Sequence, residues 1–368
     1  MLLTADPHTI TEADFPTTGP PADQWRFLLN YALLAPSQYN TQPWLFSVQN
    51  ESVELCADYT RRLPVVDPDD RELLISCGTA CLNLRLAMRQ CGSRPTLEYF
   101  VSGEEKPTPL ARFRFGASWT PTSEENRLFS AIPRHHTNRS LFETRTVSQT
   151  VLNRMQALAG LEGTWLHVVQ DGPTRQMISD LILDGDGQQW AQRSFREEVA
   201  RWLRLHDSGY VDGLPGSARP RGSSQDTASP LVVRTFDLVG EKAEEERDRQ
   251  LAAGAPVLAV LGTFADTPGD WFAAGMAMER MLLEACASGL QTSFVNQPIE
   301  IPALRAQLCR MLDRTDFPQI VLRIGYGDPV PSTPRRSVRD VLLDTPAHGQ
   351  GIAHQGEEES TLREGGAR

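Results

Sequence analysis

GTACLNLRLAMRQCG, residues 78–92, has a counterpart in GMAMERMLLEACASG, residues 275–289. Both open on glycine, carry alanine two places on and leucine eight places on, and end on glycine. Downstream, PLARFRFG (109–116) and PQIVLRIG (318–325) agree at Pro, Arg and Gly, in the same order, with a longer connection in the second copy. The ordered pair of matches predicts a duplicated helix–strand–strand unit. Two such units side by side would pack as a two-fold dimer fused into one chain. Gly78, Ala80, Gly275 and Ala277 would let two helix backbones approach closely, making these helices the central pair between the halves. The competing reading is two ordinary helices whose small residues face a sheet.

Outward from these helices the pattern is α+β. Trp25, Leu28, Leu29, Ala32 and Leu33 recur at helical spacing between Ala22 and Leu34, and Ala35-Pro36 ends that helix. Trp44–Gln49 and Val53–Asp58 read as a hairpin around Asn50-Glu51. A long helix opens near Asp67-Pro68, with Asp69, Asp70 and Glu72 in its first turn, where negative charge suits the helix dipole; it runs to Cys91. Strands are expected at Thr96–Val101 and Leu110–Phe115. Helices follow at Ser123–Ile132 and Gln149–Leu158, a strand at Thr164–Val169, and one long helical stretch at Pro173–Leu205. Ala255–Leu261, Gln291–Val295 and Gln319–Ile324 read as strands; Ala273–Ala287 and Ile301–Leu312 read as helices. The expected organisation is a flexible arm at 1–20, a first half at 21–120, a second half at 121–345 and a disordered tail at 346–368. Residues 206–230 are rich in Gly, Ser and Pro and lack an apolar period, the mark of a lid or binding loop.

The 368 residues carry 36 basic and 47 acidic side chains, a net charge of −11. That balance argues against nucleic-acid binding, which needs a basic face. No apolar run approaches the roughly 18 residues of a membrane span, and the first twenty residues lack the pattern of a secretory signal. A cytoplasmic location without a membrane partner is the expectation. The six cysteines form no CxxC pair, and Cys77 and Cys81, four apart in an apolar helix, read as core residues. No HExxH, GxSxG, Walker A or post-strand GxGxxG is present, so no metal site and no familiar hydrolase or dinucleotide motif has local support.

Three segments have ligand-binding character. In Ala35-Pro-Ser-Gln-Tyr-Asn-Thr-Gln-Pro-Trp44, two prolines bracket a run of neutral donors and acceptors. It suits a polar heteroaromatic ring, or equally a rigid loop that caps itself. Arg134-His135-His136-Thr137-Asn138-Arg139 and Arg335-Arg336 are cationic islands in an acidic chain and together suggest one anionic group, guanidinium being matched to phosphate oxygens. Each cluster alone reads as a solvated loop. Asn296-Gln297-Pro298 follows a strand and echoes the Asn-x-Gln-Pro of the first loop.

With NTQPW at 40–44, HTNR at 136–139 and IGYGDPVPSTPRRSV at 324–338, the chain resembles the nitroreductase-like FMN-binding family, and most closely its Acg-type branch. The resemblance spans about Trp25 to Leu342. It implies a nitroreductase-like α+β fold, two related halves forming a fused pseudo-dimer around antiparallel-rich sheets, with FMN bound between them. It implies that Ser37 and Asn40 approach the flavin, and that Arg134, His136, Thr137, Arg139 and Arg336 gather at its phosphate. Val295, Asn296 and Gln297 would lie near the reactive edge of the ring. The implied activity is an FMN-dependent oxidoreductase passing hydride through flavin N5, with NAD(P)H or a small organic substrate as partner, in a monomeric pseudo-dimer or a homodimer. No side chain stands out as a catalytic acid or base. The first half lacks an Arg-x-Ser-x-Arg segment, which predicts one flavin site per chain. Pro334 stands where the family usually has Lys. A lid at 206–230 leaves a second reading open, a flavin-sequestering protein with little turnover.

Overall fold

Two long helices pack against each other at the centre of the molecule: α2 (Arg71–Gln90) and α7 (Pro268–Ala287). They cross where Gly78 meets Gly275. A Cβ on Gly275 would lie 2.0 Å from the Ile75 carbonyl oxygen, and one on Gly78 would lie 2.2 Å from that of Phe272. The obstacles are backbone, so no side chain could move aside, and only glycine allows the approach. The repeated glycines of the sequence are the contact point of the two halves. The computed structural model describes residues 3–49, 51–101, 109–204, 209–215 and 254–343.

Each central helix serves its own four-stranded antiparallel sheet. The first contains β1 (Trp44–Gln49), β2 (Ser52–Ala57), β3 (Thr96–Tyr99) and β4 (Ala111–Arg114), in the order β1-β2-β4-β3. The second contains β5 (Thr164–Val169), β8 (Val257–Thr263), β9 (Gln291–Phe294) and β10 (Phe317–Gly325), in the order β5-β8-β10-β9. Strand for strand this is the same sheet, each with its central helix between the second and third strands of the set. The helices α1 (Pro21–Ala32) and α4 (Gln149–Gly160) precede the two sheets in equivalent places. The fold is α+β, two related halves fused as a pseudo-dimer. Apolar side chains fill one core in the first half, around Trp25, Trp44, Phe46 and Phe113, and two in the second, one around Leu261 and Leu322 and the other around Leu258, Val260 and Val321.

The copies differ in their connections. Between α1 and β1 lie residues 33–43; between α4 and β5 lie only 161–163. Between β1 and β2 lie only residues 50–51, whereas residues 170–256 separate β5 from β8. That insertion holds α5 (Gly172–Ala191), α6 (Arg193–Trp202) and a short parallel pair, β6 (Leu203–Arg204) with β7 (Leu214–Pro215). The single helix expected at Pro173–Leu205 is therefore two, broken at Gln192, whose backbone is extended (φ −82°, ψ 122°). The break lets α6 fold back: Trp190 meets Phe195 edge-on at 5.4 Å, and the Glu198 carboxylate accepts the backbone N–H groups of Val65 and Val66 at 3.0 and 2.9 Å. One inserted helix is thereby tied to the other half.

Four further helices, α3 (Ser123–Phe129), α8 (Gln297–Glu300), α9 (Pro302–Met311) and α10 (Val338–Val341), complete the described chain. After β10 the chain returns to the first half. Leu342 bridges Phe46 of β1, and Leu343 N–H donates to the Phe46 carbonyl at 2.8 Å. This crossing carries Arg335 and Arg336 to the loop before β1. The arm at 1–20 is built into the molecule from residue 3, with 3-10 turns at Pro7–Thr9 and Glu12–Asp14. His8 packs on His136 at 5.8 Å and donates from Nε2 to the Thr333 carbonyl, 3.2 Å away. Of the expected lid at 206–230, residues 209–215 are described; the remainder, and the expected tail at 346–368, lie outside the described residues.

Candidate functional site

The loop at 35–44 is held by both ends. Thr79 and Cys77, two residues apart on α2, donate to the carbonyls of Pro36 (3.0 Å) and Pro43 (3.2 Å). Between the prolines, Tyr39, Asn40 and Gln42 all have positive φ, at 49°, 54° and 50°. Left-handed backbone costs a non-glycine residue about 1–3 kcal/mol and survives only where its surroundings fix it. Here the fixing is explicit. Ser37 Oγ accepts the Gln42 N–H at 2.9 Å. Asn40 donates to the carbonyls of Gly213 (3.2 Å) and Pro334 (3.1 Å) and accepts from Arg335 at 3.2 Å. Gln42 donates to the Val211 carbonyl at 2.8 Å and accepts the Arg336 N–H at 2.8 Å. The amides that looked ligand-directed are largely committed to holding the loop, residues 211–213 and the C-terminal crossing together.

Around this loop open two adjoining cavities. The smaller, about 40 Å³, is lined by Pro36, Ser37, Asn40, His135, His136, Thr137, Arg139, Leu214, Thr333 and Arg335. A water needs roughly 10–15 Å³ on this measure, so the chamber takes a group of about three or four heavy atoms. The larger, about 280 Å³, shares Pro36, Ser37, Thr137, Arg139 and Leu214 with it. Its size lies near the lower end of the roughly 300–1,000 Å³ typical of small-molecule pockets. Tyr39, Trp190, Phe195, Phe294, Ile75, Met278 and Ile320 give it apolar surface, and it draws on both halves and on the inserted helices.

The small chamber is cationic and crowded. The 135–139 segment is pinned to β9 by a bridge between Thr137 and Thr292 and by Asn138 N–H donating to the Thr292 carbonyl at 2.9 Å. Burial, with the neighbouring His136 and Arg335, pushes the His135 imidazole down to about 3; burial, with His8 and Arg335, pushes His136 down to about 4. Burial also lowers the Arg335 guanidinium to about 10. Burial leads each of these shifts; Glu279 and Asp6 act on Arg335 in the opposite sense, and no carboxylate lines the chamber among the described residues.

The large chamber is the opposite. Glu72, Asp186 and Glu300 line it, from α2, α5 and α8. Burial raises Glu72 to about 7, against the lowering effect of Arg71 at 2.8 Å. Burial, with Glu72 next, pushes Glu300 well above the ordinary carboxylate range, although Gln189 and Gln38 both donate to it.

Of the residues expected from sequence, Ser37, Thr137, Arg139, Asn296 and Gln297 border the large chamber, and Asn40 and His136 the small one. Val295 does not; it is 8% exposed, packed in the second-half core, with its N–H on the Val321 carbonyl. Arg134 points away, donating to the Ser130 carbonyl at 2.8 Å on the surface. Arg336 is also elsewhere: its guanidinium donates to the carbonyls of Gln42 (3.1 Å) and Asp340 and faces Asp58 at 3.8 Å. Its neighbour Arg335 lines the chamber instead. Adjacent residues in extended backbone face opposite ways, and sequence alone does not say which arginine turns inward. Glu300 and Asp186 carried no sequence signal at all, and Glu72 had been accounted for by the helix dipole. Among the described residues no cluster of potential metal ligands occurs and all six cysteines are free.

The place equivalent to this site in the other half is built differently. The connection between α4 and β5 is too short to form a counterpart of the 35–44 loop. Near the start of α7, Phe272 is buried against Tyr99, ring to ring at 6.1 Å.

No family model matches the chain. It is related over almost its whole length to mycobacterial proteins. One is the putative NAD(P)H nitroreductase Rv3131 of Mycobacterium tuberculosis (strain ATCC 25618 / H37Rv), 29% identical over 336 residues, 89% of this chain and 93% of that one. Another is the putative NAD(P)H nitroreductase acg of the same strain, 24% identical over 331 residues, 89% of this chain and 97% of that one. The Acg-type resemblance read from the motifs is borne out by these relatives. Among solved structures, the FMN and NADPH-dependent nitroreductase NfnB from a Sphigopyxis strain aligns at 19% identity with a TM-score of 0.37, covering 60% of this chain and 99% of that one.

Proposed function

We propose that the chain is an FMN-dependent oxidoreductase of nitroreductase type, with one flavin held in the joined chambers. The observation that carries this is the small cationic chamber opening directly into a larger one with aromatic and aliphatic walls. A flavin mononucleotide has that division, a dianionic phosphate and a flat ring. The names of the two mycobacterial relatives support the same reading. Arg335, His135, His136, Thr137 and Arg139 would hold the phosphate. Ser37 and Asn296 would meet the polar edges of the ring, and Phe294, Met278, Ile75 and Ile320 its faces. When bound, FMN supplies the two-electron redox chemistry that no side chain of this site can supply. The residues of the chain bind, orient and exclude water: Trp190, Phe195 and Val199 from the inserted helices form one wall, and Leu214 closes another. A phosphate among His135, His136 and Arg335 would supply a counter-charge and reverse each of the shifts described above.

Two measurements test this. Flavin released on denaturation should amount to about one per chain, and NAD(P)H should bleach the bound flavin under anaerobic conditions. Protein purified without flavin, and taking up none from solution, refutes the reading. A specific feature favours the second possibility, a sequestering protein: residues 211–213 are hydrogen-bonded across the flavin-type loop, to Asn40 and Gln42, and the Leu214 beside them lines both chambers. Flavin that binds stoichiometrically but resists bleaching by NAD(P)H would select it.

A further inference from the structure

The two chambers have opposite electrostatic character, and only the basic one is accounted for by a bound phosphate. In the acidic one, Glu72 is 3% exposed, and its Oε1 accepts from Arg71 at 2.8 Å and from Asn296 at 3.4 Å. Its Oε2 has no hydrogen-bond partner among the described residues, and neither does Oε1 of Gln297, which borders the same space. A buried carboxylate oxygen without a partner is expensive to maintain, since each unsatisfied buried acceptor costs the desolvation of that group. Glu300 accepts from Gln38 at 3.2 Å and from Gln189, and Asp186 accepts from Gln297 at 3.0 Å. The chamber thus offers acceptors beside flat aromatic walls, with a single cation, Arg139, in its lining.

We propose that the part of this acidic chamber left open beside the flavin ring, at Glu72, Asp186 and Gln297, is the subsite of the second reactant, and that it selects a planar molecule bearing a cationic or multiply N–H-donating group, such as an amidine or an amino-substituted heteroaromatic, over an anionic one. The proposal deepens the oxidoreductase reading and rests on it for the word reactant; the binding preference follows from the chamber alone. Glu72 Oε2 would take one N–H and Gln297 Oε1 a second. Asp186 would add charge at the rim.

The groups facing these carboxylates set a linkage that can be measured. Around Glu72 stand Arg71 and Asp67 on its own side and Asn296 and Glu300 opposite; around Glu300 stand Glu72, Arg71 and Asp186. Without a cation in the chamber, burial favours the protonated acids. A bound cation favours the carboxylates, so its binding releases protons, and its affinity must rise as pH rises through the range in which Glu72 titrates.

The experiment uses three probes of one shape: benzamidine (cation), benzamide (neutral) and benzoate (anion). Each is titrated by calorimetry against the purified, FMN-loaded protein at pH 6, 7 and 8. Benzamidine should bind about tenfold tighter than benzamide at pH 8, the margin of a charge-assisted over a neutral hydrogen bond, with benzoate weakest. The benzamidine affinity should rise between pH 6 and pH 8, and Glu72→Gln should remove most of the preference while leaving benzamide binding in place. If Glu72→Gln does not fold, Asp186→Asn is the second variant and should reduce the preference by a few fold. Equal binding of the three probes, tighter benzoate, or a preference unchanged by the variants overturns the proposal. Flavin content, read on the same samples, is independent. A cation preference without flavin leaves the subsite and removes the oxidoreductase reading; flavin without a preference does the reverse.

Discussion

Arg335→Ala is the substitution that probes the phosphate chamber most directly. The guanidinium is held from behind: Nη1 donates to Asn40 Oδ1 (3.2 Å) and to the carbonyls of Thr333 (3.1 Å) and Pro334 (3.3 Å), and Nη2 to that of Leu34 (3.3 Å). Its Nε is buried without a partner. All of these acceptors are neutral, and the carboxylates of Glu279 and Asp6 act on the charge without a hydrogen bond to it, which leaves it open to an arriving anion. A hydrogen bond to a charged group contributes about 1.5–3 kcal/mol, and its loss should weaken FMN binding roughly 10- to 100-fold. Arg335→Lys should fall between, keeping the charge but losing the planar fork. Arg336→Ala is the control. It removes ties to Gln42 and Asp340 and should lower unfolding stability while shifting the dissociation constant less than about threefold. The assay is quenching of flavin fluorescence as apoprotein is titrated into FMN. An Arg335→Ala affinity within threefold of the parent, or a larger loss in Arg336→Ala, refutes the reasoning.

Gly275→Ala drives a Cβ to 2.0 Å from a backbone carbonyl and should destabilise by roughly 1–3 kcal/mol in urea unfolding, whereas Gly160→Ala, with nothing within 4 Å of the new carbon, should be close to neutral. His135 sits at about 3 in the folded chain and near 6.5 once unfolded, so the unfolded state binds the extra proton between these values. The stability that His135 contributes is therefore complete above 6.5 and is lost as pH falls. Flavin-free protein should lose about 1 kcal/mol from this group between pH 6.5 and 5.5, and His135→Gln should flatten the urea midpoints by that amount. Asp212 pairs with Arg61 and Arg204 and anchors residues 209–215. Asp212→Asn should make flavin leave several-fold faster and bleach faster with NAD(P)H in stopped flow, and unchanged rates would make that segment a bystander.

The duplicated frame was legible because its contact point demands glycine, and the demand is written twice, at Gly78 and Gly275. The hairpin at 44–57 and the strand at 164–169 were legible from alternation and turn residues. The break at Gln192 was not, since neither Gly nor Pro marks it; it is imposed by distant partners, Glu198 on the backbone of Val65 and Val66. The 35–44 loop was visible as an unusual string, but its chemistry was misleading, because Asn40 and Gln42 spend their amides on the loop, residues 211–213 and the C-terminal crossing. The basic chamber was visible in outline, as two arginine-bearing segments. The acidic chamber was invisible because its three carboxylates come from three elements far apart in sequence, each residue ordinary in its own surroundings.

The fusion of the two halves has a consequence for how such a site can change. In a dimer of identical chains every substitution is made twice, and a segment that closes over one active site must also be accommodated at the other. In this chain the 170–256 insertion appears once, opposite a connection of two residues, and Phe272 can occupy one position without blocking its counterpart. One half is free to become pure scaffold while the other half accumulates cover, charge and selectivity. The symmetric frame supplies the rigidity, and mutation can act on the working site without any matching penalty across the axis.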